Sequence, residues 1–156
     1  MKTFDEFGPK FKFSLIKSLL TDNDFFAKIK DAIDPNYFGQ KPLVWIVSQI
    51  LEFHGKYRKI PTFDELDILS KELSQDDLEL YEDSINKVKA QGVINSELVK
   101  DKSLTFCQLQ ALEKAIYESA KILQSSNNSI EQTKADIDTK DDRSSNRQKN
   151  QIFCHG

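Results

Sequence analysis

The chain has 156 residues, 38% of them hydrophobic and 30% charged, with a formal net charge of −3. That length holds one ordinary domain. Leu, Ile, Val and Phe fill 45 positions, enough material for a core, so disorder throughout is excluded. Five Gly and four Pro exclude collagen and low complexity, and the net charge excludes a nucleic-acid polycation. No apolar run approaches the ~18 residues of a membrane span. The opening MKTFDEFGPK is acidic and broken at Gly8-Pro9, unlike a secretory leader. A soluble, intracellular, cytoplasmic, single-domain protein is expected, with Cys107 and Cys154 as free thiols. The sequon Asn127-Asn128-Ser129 is then idle.

The pattern is helical nearly throughout. Phe11, Leu15, Ile16, Leu19 and Leu20 recur at three- and four-residue spacing and make one apolar face. Asp22 or Asp24 can cap a second short helix carrying Phe25, Phe26, Ile29 and Ile33. Asp34-Pro35-Asn36 signals a turn, with Tyr37 and Phe38 as core plugs behind it. Residues 41–54 read as a central helix. Pro42 suits its first turn, and only Ser48, Gln49 and Glu52 break its apolar surface. Its β-branched content leaves a strand as the alternative.

Residues 55–61 form a basic connector. Thr62 and Glu65 then make a capping box for a helix carrying Leu66, Leu69 and Leu73. Ser74 caps the next helix, with Asp76 and Asp77 in its first turn and Leu78, Tyr81, Ile85 and Val88 inside. Gly92 is its expected stop.

A long helix is expected over roughly 101–124. Leu109, Leu112, Ile116, Ala120 and Leu123 line one stripe, which Leu104, Ala111, Ala115 and Ile122 widen. An arc that wide suits a helix touching both its own domain and a partner, so these five residues are the candidate interface. After Ser125-Ser-Asn-Asn the sequence restarts at Ser129-Ile130-Glu131. From Lys140 to Gly156 four Lys/Arg face two Asp/Glu, with Ile152, Phe153 and Cys154 the only apolar residues. A disordered tail is expected there.

Residues for chemistry are scarce, and no catalytic, cofactor-binding or metal site is expected. His54 closes an apolar helix and reads as a packing or capping residue; the other histidine is His155. No Cys or His pair has metal-site spacing. Gly55-Lys56 lacks the remainder of a phosphate loop, since Ile50 and Tyr57 occupy the required Gly and Ser/Thr positions. Asp22/Asp24, Asp64/Glu65 and Asp76/Asp77 all fall at expected helix starts, where capping accounts for them. Lys56, Arg58 and Lys59 with Tyr57 could touch phosphates, although a solvated connector is the simpler reading. The residues describe a binding or assembly module and not an enzyme.

The order of segments carries a resemblance. An opening apolar helix leads through Thr21-Asp-Asn-Asp-Phe-Phe26 to Asp34-Pro-Asn-Tyr-Phe38. The helix 42–54 follows, then Ile60-Pro-Thr-Phe-Asp-Glu-Leu66, and last the helical run from Asp101 to Ile116. Over about residues 10–138 this series resembles the N-terminal domain of DnaB-type replicative DNA helicases, the phage branch more than the bacterial one. The resemblance implies an all-α fold, a multi-helix head over 1–100 and a helical hairpin over 101–138, from which the sequence departs in an incomplete second arm and a tail over 139–156.

It also implies a homo-oligomeric collar that primase or a helicase loader engages during DNA replication, in host cytoplasm if phage-encoded. DNA contact would be indirect or weak and no membrane is involved. ATP hydrolysis belongs to a separate motor domain. Gln91-Gly92 is the nearest counterpart of the glycine-containing turn in bacterial members. The tail from Lys140 reads as an out-of-frame extension or an early stop. A standalone regulator or adaptor that binds a helicase or primase is the alternative function. A DNA-binding helical domain, resting on Lys56, Arg58, Lys59 and the basic tail, is a third.

Overall fold

Phe4 stands three residues before Phe7 and seven before Phe11, and it is the centre of the molecule's aromatic core. A 3-10 turn over Phe4–Phe7, entered through Thr3, buries Phe4 completely. Its ring lies 5.1 Å from Phe38 and 4.6 Å from Phe106, both in tilted or edge contact. Such geometry adds to the area these rings bury. This computed structural model describes residues 2–92 and 95–155, with side chains through 133. It divides into one unit over Met1–Ala111 and another over Leu112–Gly156.

Six α-helices and two 3-10 turns make up the described residues, with no strand among them. The expected all-α, multi-helix class is therefore correct. Helix α1 (Pro9–Thr21) starts on Pro9 and buries Phe11, Leu15, Ile16 and Leu19. Asp22, rather than Asp24, caps α2 (Asn23–Ile29), its carboxylate accepting the Phe25 N–H at 3.0 Å. The Pro35–Phe38 turn follows, capped by Asp34.

Helix α3 (Lys41–Tyr57) carries Pro42 in its first turn and is helical, not extended. It buries Leu43, Ile46, Val47 and Ile50. Trp45 is only half-buried, packed 5.4 Å from Tyr81. No residue from Pro42 to Leu51 is exposed, and α3 packs against the Pro35–Phe38 turn and two later helices, so it is the central helix that the sequence predicts.

Helix α4 (Phe63–Ser70) begins at Thr62, whose hydroxyl accepts the Glu65 N–H at 3.1 Å. The reciprocal half of the expected box differs: the Glu65 carboxylate receives the Thr62 hydroxyl itself, at 3.2 Å. At α5 (Gln75–Ala90), Ser74 occupies the cap position but turns its hydroxyl to Asp77, 3.1 Å away. Gly92 is not the expected left-handed stop, since only Gly8 and Gly39 among the described glycines have positive φ. Instead the Lys17 ammonium, from α1, donates to the carbonyls of Lys89 and Gln91 at 3.0 and 2.9 Å. A cation there also meets the negative end of the helix.

Helix α6 (Ser96–His155) begins earlier than expected, with the Asn95 side chain accepting the Leu98 N–H. Its first turns bury Val99, Ser103, Phe106 and Cys107. That burial carries the first unit to Ala111, past the expected 1–100 head. The expected turn at 125–128 is absent and α6 runs on as one helix, so the chain forms no hairpin through those residues. Ser and Asn each cost less than about 0.7 kcal/mol in a helix interior, and neither Gly nor Pro interrupts the stretch. The polar tail expected over 139–156 lies outside the residues whose side chains are described, its backbone forming the end of α6.

Candidate functional site

The five candidate interface residues all lie on α6, and all five are exposed. At about 100° per residue, Leu109, Leu112, Ile116, Ala120 and Leu123 fall within an arc of about 80°. Leu109 is 52% exposed and Leu123 64%. Ile130, 61% exposed, falls on the same arc because the helix does not turn back before it. The expectation of a second arm hid this residue. The signal that finds it is the strict seven-residue step Leu109, Ile116, Leu123, Ile130.

Of the residues expected to widen the stripe, Ala111, Ala115 and Ile122 are exposed beside it. Leu104 instead packs against the core of the first unit. Tyr117 stands on the other flank, with the Lys121 ammonium 4.6 Å above its ring. A row of large aliphatic side chains more than half open to water is a recognised sign of a protein-contact surface.

The root of α6 is held by electrostatics as well as packing. Lys100 pairs with Asp22, the α2 cap. The hydrogen bond from Lys100 and the one from the Phe25 amide hold the Asp22 carboxyl below its ordinary range. The same pair raises the Lys100 ammonium. A second pair lies away from α6: Lys12 of α1, itself buried, pairs with Asp5 of the Phe4–Phe7 turn and lowers that carboxyl.

Residues weighed for chemistry take structural places. His54 is half-buried on α3 with its ring 4.8 Å from Phe26, a packing position. Cys107 is a free, buried thiol whose pKa burial pushes up to about 12, so it is an inert sulfhydryl at neutral pH. Asp22, Asp64, Glu65, Asp76 and Asp77 all occupy helix caps or first turns. Among the described residues no group of three or more His, Cys, Asp or Glu is placed to hold a metal ion. His155 and Cys154 have no described side chains. No helix searched among the described residues is long and apolar enough to cross a membrane.

The candidate site is therefore a face of one helix rather than a cleft. Compared with family models, curated proteins and solved structures, the chain matches none.

Proposed function

We propose that the chain is an assembly and docking module of DNA replication, acting as the N-terminal collar domain of a phage DnaB-like helicase acts. In this reading it contributes no catalysis of its own. It associates with further copies of itself and offers a surface to primase or a loader. One observation carries the reading: the row Leu109, Leu112, Ile116, Leu123 and Ile130, more than half exposed along α6. The resemblance in segment order supplies the biological setting, and the all-helical architecture is compatible with it.

The continuous α6 changes how such a collar would form. A hairpin covers its first arm with its second; here the apolar row stays open, and α6 of another copy can cover it. A seven-residue apolar repeat is the spacing at which two helices keep one seam in contact. Burying each half-exposed Leu or Ile further contributes about 1 kcal/mol per side chain. Several such side chains on each copy reach the scale of the cost of association.

The test is light scattering coupled to size exclusion, from dilute to concentrated protein, on the parent chain and on Leu112→Glu and Ile116→Glu. The parent should shift to dimers or larger rings as concentration rises. Each glutamate should return it toward the monomer while the helical circular-dichroism spectrum is kept. A parent that stays monomeric throughout, with both variants indistinguishable from it, defeats the proposal.

A further inference from the structure

The basic connector has a counterpart across the fold that the linear sequence does not show. Helix α2 ends at Lys30 and α3 ends at Arg58, and the two ends meet around a cavity of about 370 Å³. Lys30 enters from one side; His54, Arg58 and Lys59 enter from the other, and Phe26 forms part of the wall. No carboxylate lines it. Among the described residues no salt bridge engages Lys30, Arg58 or Lys59.

Two helix C-termini would attract these cations without any ligand. Each terminus supplies only about half a negative charge. The three cations exceed that by about two charges, and Lys56 adds another. The cavity's lining therefore carries an excess of positive charge, in a protein whose overall charge is negative.

Two features narrow the ligand. Arg58 has φ 59° and ψ 27°, the left-handed conformation that usually falls to Gly at a helix end. An arginine there is conformationally costly, and it aims a fork of donors suited to phosphate. Beside it Tyr57 is 53% exposed, its ring braced 4.6 Å from Phe53 and its neighbour Lys56 5.2 Å above the ring. Cations that hold phosphates next to an exposed aromatic side chain are the equipment for single-stranded nucleic acid.

We propose that this end of α3 binds single-stranded nucleic acid, with backbone phosphates between Lys30, Arg58 and Lys59 and a base stacked on Tyr57. The site uses no residue of the α6 row and is independent of self-association through it.

Fluorescence anisotropy of a labelled oligothymidylate with the full chain tests this. The parent should bind at low salt, and log K should fall with log salt with a slope of about −2, for three phosphate contacts at about −0.7 each. Arg58→Gly should weaken binding severalfold and flatten the slope by about 0.7, while its melting temperature rises because glycine accepts the left-handed turn. Lys59→Glu should weaken binding with no such rise. Tyr57→Ala should lower affinity about fivefold or more and leave the slope unchanged.

Absence of binding at low salt overturns the proposal, as does an Arg58→Gly variant that binds like the parent. Displacement of the strand by millimolar inorganic phosphate, combined with an unaltered Tyr57→Ala, would show a free-anion site and overturn the nucleic-acid assignment. Equal affinity for duplex and single strand would do the same.

Discussion

At the level of single residues, Asp22 shows how one side chain serves two elements. Its carboxylate caps α2 and meets Lys100 of α6, 78 residues away in sequence. An Asp of ordinary pKa 3.8 that is held lower in the folded state binds its proton first in the unfolded chain. The stabilisation is therefore complete above 3.8 and is lost as pH falls through the lower folded value. Asp5, paired with Lys12, follows the same sign. The melting temperature should be level from neutrality to about pH 5 and fall as the medium becomes more acid. Asp22→Asn should make that acid limb shallower, which a thermal-melt series at stepped pH will read. The sequence placed the cap of α2 at Asp22 or Asp24, and the hydrogen bond from Phe25 settles it as Asp22. Its pairing with Lys100 was not legible, because nothing in a linear pattern marks a contact across most of a domain. Phe4 escaped although Phe4, Phe7 and Phe11 share helical spacing, because the Gly8-Pro9 break separates the first two from the helix that follows.

Helices were legible where an apolar face repeats, as in α1, α3 and α5. Their ends were harder to read, because tertiary partners decide them. Helix α5 ends just before Gly92 as expected, but the Lys17 ammonium on its last carbonyls does what a left-handed glycine does elsewhere. Lys17→Met keeps the aliphatic stem but leaves the two carbonyls without this donor. It should cost about 1–2 kcal/mol in urea denaturation, with the m-value unchanged. Helix α6 was misread at both ends. Its start at Ser96 depends on burial of Val99 and Phe106, and its passage through Ser125–Asn128 depends on the absence of any strong breaker. Weak helix formers in a row look like a loop to the eye while costing little in an established helix. The stripe Leu109–Leu123 was plain from spacing alone; its continuation to Ile130 became visible only with the turn removed.

On the scale of the molecule, the core formed by the described side chains belongs to the first unit. Phe4, Phe38, Leu43, Ile85 and Phe106 are buried within Met1–Ala111. A chain ended after Ala111 should unfold cooperatively, with a melting temperature within a few degrees of the parent's. It should also lose the concentration-dependent association that the α6 row confers. Calorimetry and light scattering on the same sample check both halves. That all-helical architecture was foreseeable from composition and periodicity; where the unit closes was not, since the closing residues lie inside a helix. The closure has a kinetic side. Phe4 is synthesised well before Phe106, on which its ring rests. As the chain leaves a ribosome, α1 to α5 can form and begin to gather. The aromatic centre nonetheless stays open until the first turns of α6 have emerged, so the folding of this head is timed by its last helix.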